Sequence, residues 1–536
     1  MADQEPTTTQ SIPATLWTVY RGAVVHCKED VHTLQVLEYA LLVVHAPSGR
    51  IVCLAPHPRA SLPLSGAIIT STSSSAIHTV PLESSASLSE SEWNSSILSA
   101  CEYQTLLTEL KAFCGNISLS DGVKAAQQDA REWLSNVSLS PTDKEKIAGE
   151  LAPIPAVQIV TVPRGCFLVP GFIDTHVHAP QYQNAGLGTD LPLLPWLEKY
   201  TFPVEKQFAD LEYARPRYEK FVQRVLQNGT TCAVAFATIH AEATNLLADI
   251  CHHRGLRCFV GKVNMNTNSK DYVETTEESM ASTRAVLAHI RSLNDDIVQP
   301  IVTPRFAPSC TADLLGRLGK LAAEENLPIQ SHINENKDEI KWVAELFPES
   351  KSYTDVYEQS GLLTERTIMA HGCHCTAAEH ELFLSRKAGI SHCPNSNFTL
   401  NSGILAVRTL WEKGIKVGLG TDGSGGYSFS MLNSIRNAII ASSTLNIHDP
   451  SLKSITYVEA FGLATLGGAD LVCMRDELGN FAAGKFFDAL LVNPHVDHSP
   501  FDVFPGDSVG NLFQRFLFNG DDRNIQHVYV KGRKVK

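Results

Sequence analysis

The chain lacks features that mark several large classes of protein. No uninterrupted apolar run approaches the roughly 18 residues of a membrane-spanning helix. The first residues, MADQEPTTTQSIPATLW, contain no basic stretch followed by an apolar one, so no secretory signal is predicted. Apart from the short tail KGRKVK there is no dense run of basic residues, and the formal net charge is −13. This balance disfavours nucleic acid or a membrane surface as a partner.

Cysteine occurs, but not in the spacings of a disulfide framework or a zinc knuckle. The thirteen cysteines are scattered, their number is odd, and no Cys-x-x-Cys is found. In a chain of this length such usage is typical of reduced cysteines, and we expect a cytoplasmic protein.

What the chain has in quantity is apolar sequence. Of its 536 residues, 43% are hydrophobic, which is enough for large buried cores. The length fits three or four ordinary domains of about 150 residues. It fits equally well two structural units, one of them a barrel of about 250 residues or more.

Strand-like and helical patterns alternate from residue 167 to about residue 470. The strand-like runs are separated by segments with helical spacing, such as LEYARPRYEKFVQRVLQNG. This alternation predicts an α/β fold class, specifically a parallel (β/α)8 barrel of the TIM type. The predicted strands are FLVPGFIDTHVH, TTCAVAFATIH, RCFVGKVNMN, IVQPIVTPRFAPSC, LPIQSHIN, TIMAHGC, GISHCPN and KVGLGTDG.

Both ends of the chain carry further strand-like runs. Short β-branched runs between Val19 and Pro56 predict a small meandering sheet, and FDALLVNP and IQHVYVKGRKV add two strands near the C-terminus. We predict a β-sandwich domain built from residues 1–165 and 475–536, with the barrel domain at 166–474. Residues 60–150 are Ser-rich and then helical in spacing. We interpret them as an insertion and assign them no role.

The segment GFIDTHVH places polar side chains on one face of a predicted strand. Because side chains alternate along a strand, Asp174, His176 and His178 share a face. If this is the first barrel strand, both histidines point into the lumen at the carboxyl end, where active sites of such barrels lie. Taken alone, the motif is weak, and two polar residues that close a strand explain it equally well.

Other strand ends make the metal-site interpretation stronger. His332 and His371 end two further predicted strands, and Asp422 ends the last one. His176, His178, His332 and Asp422 form a three-nitrogen, one-oxygen set that suits Zn²⁺ or Fe²⁺ and leaves a position for water. A bound metal would lower the pKa of that water to about 7.

The fourth predicted strand bears on the number of metal ions. The histidine and aspartate motifs resemble those of the amidohydrolase superfamily, in which a two-metal site usually needs a bridging carboxylated lysine on the fourth strand. The segment IVQPIVTPRFAPSC has no lysine and offers Arg305 instead. The sequence therefore favours one metal ion per subunit.

Glu335, three residues after His332, suits a proton shuttle near the metal. His371 and Asp422 could orient and deprotonate the attacking water. Two structural alternatives remain open from spacing alone. Glu335 could be a carboxylate at a helix N-terminus, and His371 could be a hydrogen-bonded core histidine.

His240 is a competing metal-site candidate. With Glu242 it forms the His-x-Glu half of the zinc nucleobase-deaminase signature, but the required Pro-Cys-x-x-Cys is absent from the sequence. We therefore expect His240, at a strand end, to have a structural role or to support a neighbouring site residue, and not to bind the metal.

Taken together, these motifs resemble the guanine deaminases of the amidohydrolase superfamily. The blocks PGFIDTHVHAPQYQNAGLGTDLPLLPWLEKYTFPVEKQF, VTPRFAPSC, QSHINENKDEI, MAHGC, SHCPNSN and GLGTDGSGG follow in that family's order. The similarity spans roughly 160–536 and the short N-terminal sheet. The first block and the Thr-Pro-Arg-Phe segment are more specific to this family than the metal-site motifs, which many related hydrolases share.

The resemblance implies a complete set of site residues. The metal ligands are His176, His178, His332 and Asp422, and the groups that move protons are Glu335, His371 and Asp422. The residues that contact the purine are Gln181, Arg305, Phe306, His332 and Asp422.

The activity so implied is hydrolytic deamination of guanine to xanthine and ammonia. A zinc-activated hydroxide would attack C2 of guanine while Glu335 protonates N3. One Zn²⁺ per subunit is expected, with Fe²⁺ possible, and the resemblance also implies a homodimer. Two alternatives stay open: a related hydrolase acting on a triazine or an adenine derivative, and a non-catalytic assembly protein of the same fold.

Overall fold

The computed structural model describes residues 17–46, 48–56 and 157–536. The predicted insertion at 60–150 lies outside the described residues. The described residues fall into two compact units. The first contains 17–24, 37–46, 48–56, 157–164 and 482–487, and the second contains Val25–Val36, Gly165–Phe481 and Asp488–Lys536.

The first unit is made of short strand segments. Residues 17–21 of β1 (Trp17–Cys27) pair in parallel with β4 (Val157–Thr161). Strand β2 (Leu34–His45) pairs antiparallel with β3 (Arg50–Pro56). Strands therefore occur where the sequence predicted a meandering sheet at the N-terminal end.

The second unit contains three sets of parallel strands and one antiparallel set. The hydrogen-bonded orders are β6-β7-β8-β10, β9-β11 and β12-β13-β14-β15 for the parallel sets, and β5-β16-β17-β18 for the antiparallel set. Their bounds are β5 Phe167–Pro170, β6 Phe172–His178, β7 Thr230–Phe236, β8 Arg257–Gly261, β9 Val263–Asn264, β10 Val298–Pro300, β11 Thr303–Pro304, β12 Ile329–Ile333, β13 Thr367–His371, β14 Gly389–His392, β15 Lys416–Leu419, β16 Ala489–Val492, β17 Ile525–Val530 and β18 Arg533–Lys534.

Helices alternate with the parallel strands, as the periodicity predicted. Their bounds are α1 Leu193–Trp196, α2 Phe202–Lys206, α3 Leu211–Gln227, α4 Ala241–Arg254, α5 Thr276–Ser292, α6 Ala312–Glu324, α7 Lys337–Leu346, α8 Tyr353–Gln359, α9 Ala377–Arg386, α10 Pro394–Thr399, α11 Val407–Glu412, α12 Met431–His448, α13 Tyr457–Gly462, α14 Gly468–Leu471 and α15 Val509–Asn519. Within the described residues, none of these helices is both long and apolar enough to cross a membrane.

Helix α3 shows how the pattern produces packing. Asp210 caps its N-terminus by accepting a hydrogen bond from the backbone of Glu212 at 3.0 Å. Its apolar residues recur at helical spacing, so one stripe is buried in a core shared with alanines of β7. Burial of each aromatic side chain in this stripe stabilises the folded state by about 1.5–3 kcal/mol.

The prediction of one continuous strand over FLVPGFIDTHVH is wrong. The run is two strands, because β5 pairs antiparallel with β16 while β6 pairs in parallel with β7. The break falls at Gly171, whose backbone N–H donates to the carbonyl of Asp488 at 2.9 Å. A Cβ at Gly171 would lie 2.1 Å from Oγ1 of Thr231, so only glycine fits at this close approach.

The last parallel strand lies beside the first. Oγ1 of Thr175 on β6 donates to the carbonyl of Leu419 on β15 at 2.9 Å. The backbone N–H of Asp422 donates to the carbonyl of His176 at 2.9 Å. The loop after β15 is therefore attached to the histidine-bearing strand, which positions the site described below.

Glu459 is a largely buried carboxylate close to the start of α13. It accepts hydrogen bonds from both terminal nitrogens of Arg408 at 2.8 Å and from the backbone of Thr456 at 2.7 Å, and its Oε1 lies 2.9 Å from Nδ1 of His32. Burial acts to raise its pKa, but Arg408 and the backbone donor outweigh burial and lower the pKa to about 2. The charged form is thus strongly favoured in the folded protein.

The variant Glu459→Gln should lower the thermal unfolding midpoint by about 2–4 °C at neutral pH. An unfolded Glu has a pKa of about 4.3. Because the folded pKa is lower, the stabilisation is complete above about pH 4.3 and is lost as the pH falls through about 2. Calorimetry of wild type and variant from neutral to acidic pH measures this difference. Glu277→Gln, which removes an exposed partner of Arg317, is the control and should change nothing. A pH-independent difference for Glu459→Gln would contradict the assignment.

Candidate metal centre and substrate pocket

Polar side chains from separate parallel strands meet at the carboxyl ends of those strands. His176 and His178 lie at the end of β6, and His332 lies near the end of β12. His371 is the last residue of β13, and Asp422 follows β15 by three residues. The structure thus brings together the five residues that the sequence placed at strand ends.

Two of these residues have an unusual backbone conformation. His371 has φ +75° and Asp422 has φ +45°, a region that residues other than glycine rarely adopt. Backbone hydrogen bonds from Gly372 to Ile333 and from Gly426 to Asp422 hold the two turns at 2.9 and 2.6 Å. Strain of this kind costs of order 1–3 kcal/mol and concentrates at functional sites.

Four of the side chains form a compact donor cluster. The candidate ligand atoms of His176, His178, His332 and Asp422 all lie within 4.8 Å of one another. Oδ1 of Asp422 is 3.1 Å from Nε2 of His176 and 3.3 Å from Nε2 of His178. Nε2 of His178 is 3.2 Å from Nε2 of His332. These are the four residues that the sequence predicted as metal ligands.

The protonation states of the cluster suit a metal ion. Burial lowers the pKa of His178 to about 4 and that of His332 well below its ordinary value, so both rings are neutral at physiological pH. Burial acts to raise the pKa of Asp422, but the neighbouring histidines hold it well below the usual range. Neutral imidazoles and an ionised carboxylate are the forms that bind divalent cations, so this donor set fits the predicted metal.

Neighbouring groups orient the rings. Nδ1 of His332 lies 2.6 Å from the carbonyl oxygen of Arg305, and Nδ1 of His371 lies 2.9 Å from Oδ1 of Asn397. An N–H at each Nδ1 donates to that oxygen, and Nε2 of each ring is directed toward the cluster. This arrangement is typical of metal-site histidines, whose second nitrogen is held by a carbonyl or amide.

Asp174 shares the face of His176, as the alternation of side chains predicted, and holds the loop that carries Asp422. Its two carboxylate oxygens accept hydrogen bonds from the backbone N–H of Thr421 at 2.9 Å and from its hydroxyl at 2.6 Å.

Glu335 is buried beside the cluster. Its Oε1 accepts a hydrogen bond from Oγ of Ser402 at 2.9 Å, and its Oε2 lies 3.4 Å from Nε2 of His371. Burial, and next the charge of Asp422, raises the pKa of Glu335 to about 8. A carboxyl group in this environment can hold a proton at neutral pH and release it to a bound molecule.

The alternative that Glu335 serves only as a carboxylate at a helix N-terminus can be compared with its neighbour. Helix α7 begins after Asn336, and Glu339 accepts the backbone N–H groups of Glu335 and Asn336 at 3.1 and 3.3 Å. Glu339 therefore supplies the carboxylate at the start of the helix. The side chain of Glu335 is left to face Ser402 and His371.

The cluster opens onto a pocket with one apolar wall. Phe306 lies on this wall, and so do residues of the segment that follows β6 and one residue after α10. The apolar lining residues are Leu193, Trp196, Leu197, Phe306 and Leu400, and the polar ones are His178, Gln181, Arg305, His332, Glu335, Glu339, His371 and Asp422.

The structure also places a carboxylate that the sequence reasoning missed. Glu205 on α2 is fully buried and forms a two-pronged ion pair with Arg305 at 2.6 and 3.1 Å. It also accepts a hydrogen bond from Nε2 of Gln181 at 2.9 Å. The one signal in the sequence was an acidic residue in the block PWLEKYTFPVEKQF, which carries no indication of its partner.

His240 lies apart from this centre. It precedes helix α4 as its N-cap residue and is absent from both the donor cluster and the pocket lining found among the described residues. Among the described residues His240 therefore has no support as a metal ligand, and its role stays a prediction.

Comparison with known proteins identifies the chain's relatives. The amidohydrolase family model matches residues 167–535. The guanine deaminase of Dictyostelium discoideum is 53% identical over 371 residues, which cover 69% of this chain and 82% of that protein. The guanine deaminase of Homo sapiens is 48% identical over 400 residues, covering 74% and 88%.

Solved structures agree with the sequence comparison. The crystal structure of a guanine deaminase from C. acetobutylicum, with guanine bound in its active site, superposes with a TM-score of 0.74 at 29% identity. The superposition covers 97% of this chain and 100% of the C. acetobutylicum chain. The resemblance drawn from the motifs is therefore confirmed, and the chain belongs to the amidohydrolase family.

Proposed function

We propose that this protein is a guanine deaminase, a hydrolase that converts guanine and water to xanthine and ammonia. The observation that carries the proposal is one pocket that joins two sets of groups. Residues of the donor cluster and Glu335 line this pocket, and so do Arg305 and Gln181. Relatives with 48–53% identity that are named guanine deaminases support the same activity.

The architecture that we propose for this activity is a (β/α)8 barrel with a small β-sandwich domain. We assign the barrel to residues 166–474, and the sandwich predicted from the two ends of the chain stays a prediction. The parallel strand pairs and the hydrogen bonds between the ends of β6 and β15 support a closed barrel. A homodimer and a cytoplasmic location remain predictions.

His176, His178, His332 and Asp422 would hold one divalent metal ion per subunit. Three imidazoles and one carboxylate suit both Zn²⁺ and Fe²⁺, and we propose Zn²⁺ with Fe²⁺ as the alternative. When bound, such an ion lowers the pKa of a water molecule and so supplies a nucleophile at neutral pH.

The chain's own residues move the protons. Glu335 gives a proton from its carboxyl group to ring N3 of guanine while the water oxygen adds to C2. His371 and Asp422 orient the attacking water and accept its proton. Glu335 then takes the proton of the new hydroxyl group at C2. The 2-amino group takes the water proton held by His371 or Asp422 and leaves as ammonia, so xanthine remains and each group regains its starting state. The 3.4 Å separation of Glu335 and His371 supports a shared path for these protons.

Other residues that line the pocket would contact the purine. Arg305 can donate to the O6 and N7 acceptors of guanine, a pairing that arginine also makes with guanine in DNA. The amide of Gln181 can donate or accept at another ring edge. Phe306 supplies an aromatic wall for the base, and His332 and Asp422 approach it from the cluster.

Purified protein should release ammonia from guanine and lose that activity on chelation. Zn²⁺ or Fe²⁺ added back after dialysis should restore it, because the donor cluster, once reloaded, again activates water. Xanthine formation followed by absorbance provides the measurement. Adenine, cytosine and triazines tested in parallel provide the controls. Turnover of one of these compounds, with no turnover of guanine, would refute the proposed substrate. A protein that contains no metal as purified and stays inactive in buffer with Zn²⁺ or Fe²⁺ would favour a non-catalytic role.

A further inference from the structure

Glu205 lies where two substrate-facing side chains meet. It sits on α2, which is adjacent to the pocket-lining segment 193–197, and its side chain is fully buried. One carboxylate oxygen accepts from both Gln181 and Arg305 at 2.9 and 3.1 Å, and the other accepts from Arg305 at 2.6 Å. One side chain thus holds two residues that are 124 positions apart in the chain, as 305 − 181 shows.

The first consequence concerns the amide of Gln181. Because a carboxylate only accepts hydrogen bonds, the –NH₂ end of the amide must face Glu205. Its oxygen is then directed toward Ser424, whose backbone N–H and hydroxyl lie 3.4 and 3.5 Å away. Without Glu205 the amide could turn over and present the opposite pattern of donor and acceptor.

The second consequence concerns charge. The Arg305 side chain is 3% exposed and that of Glu205 is 0% exposed, so water screens neither group. The ring of Phe202, 5.0 Å from the guanidinium, adds an apolar boundary. Burial acts to raise the pKa of Glu205, but the charge of Arg305 outweighs it and lowers the pKa, so the pair stays ionised. Glu205 therefore cancels most of the positive charge at this side of the pocket.

The cancelled charge affects whether the pocket binds neutral or anionic purines. Guanine is a neutral base, whereas purines with more ring carbonyl groups, including the deamination product xanthine, lose a proton more readily. A buried guanidinium without its carboxylate would attract such anions. A guanidinium neutralised by Glu205 still offers its directional N–H donors and no longer favours an anion.

We propose that Glu205 is a positioning and specificity-determining residue. It fixes the donor pattern that Arg305 and Gln181 present to the base, and it tunes the pocket for neutral purines against anionic oxopurines. This inference rests on the proposed function, because it takes Arg305 and Gln181 as the groups that face the purine.

The test compares three variants of the full-length, metal-loaded protein. Glu205→Gln keeps the size of the side chain and removes its charge. Glu205→Asp keeps the charge and shortens the reach. Asp488→Asn removes a buried carboxylate that pairs with Arg257 elsewhere in the same unit, at 3.3 Å, and serves as the matched control. For each variant we would measure kcat and KM for guanine, and the inhibition constants of neutral hypoxanthine and anionic urate.

For Glu205→Gln we expect KM to rise about tenfold or more, with a smaller change in kcat, because the groups that make and break bonds are untouched. The urate-to-hypoxanthine preference should shift about tenfold toward urate. Glu205→Asp should keep the wild-type preference while KM rises, which separates charge from position. Asp488→Asn should change neither KM for guanine nor the urate-to-hypoxanthine preference, even if its unfolding midpoint falls.

Two failures are distinguishable. If wild type hydrolyses guanine and Glu205→Gln keeps both KM and inhibitor preference, the role of Glu205 is refuted while the proposed function stands. If wild type is inactive on guanine, the proposed function itself fails. Should Glu205→Gln not fold, Glu205→Asp with an unchanged KM for guanine would equally refute the positioning role.

Discussion

Replacing Glu335 with Gln should reduce kcat for guanine by about 10²- to 10⁴-fold, the usual contribution of a general acid or base. The amide keeps the shape of the side chain and its contact with Ser402, but it cannot give up and recover a proton. Metal content should be unchanged, because Glu335 is not part of the donor cluster. Steady-state kinetics together with metal analysis of the same sample provide the measurement.

Asp338→Asn is a matched control for this variant. It makes the same acid-to-amide change three residues further on, at a side chain that is 74% exposed. Its kinetics should equal those of wild type. Near-normal turnover by Glu335→Gln would rule out the proton-transfer role, and loss of metal would mean that the residue stabilises the cluster instead.

The variant Arg305→Ala should lower kcat/KM for guanine by about 10³-fold or more. Without the N–H donors of Arg305, the polar edge of guanine has no hydrogen-bond partner in the pocket, so guanine is bound less well in the transition state. The change also leaves the buried carboxylate of Glu205 without its partner, which is strongly destabilising. We therefore expect a lower unfolding midpoint as well as weaker catalysis, measured by calorimetry and by kinetics.

A double variant separates these two effects. Arg305→Ala combined with Glu205→Gln removes the unpaired charge, so part of the lost stability should return. Activity on guanine should not return, because the N–H donors are still missing. If the double variant recovers catalysis together with stability, Arg305 has a structural role only and does not contact the purine.

Much of the donor cluster was predictable because its rules are local. Side-chain alternation alone put His176 and His178 on one face of a strand. Because the carboxyl ends of parallel barrel strands lie at the same face of the barrel, His332, His371 and Asp422 were then expected nearby. The observed separations, such as 3.2 Å between the Nε2 atoms of His178 and His332, agree with that expectation.

Other features depend on neighbours that are remote in the sequence. Hydrophobic pattern could not show that one apolar run divides into two strands at Gly171, because the cause is that β5 pairs with β16 and β6 pairs with β7. Spacing could not tell which acid serves the start of α7, since both Glu335 and Glu339 stand near it. The structure resolves this choice through hydrogen bonds to Glu339.

By itself, the sequence determined the alternation of strands and helices, the family, and the residue types that gather at the strand ends, because each depends on short-range periodicity or motif order. Only the tertiary structure decided what the pocket presents to a ligand. Glu205 and Arg305 are 100 residues apart and form a buried ion pair, which gives the arginine its orientation and cancels its charge. Such pairing depends on how the chain folds back on itself, and no local pattern encodes it.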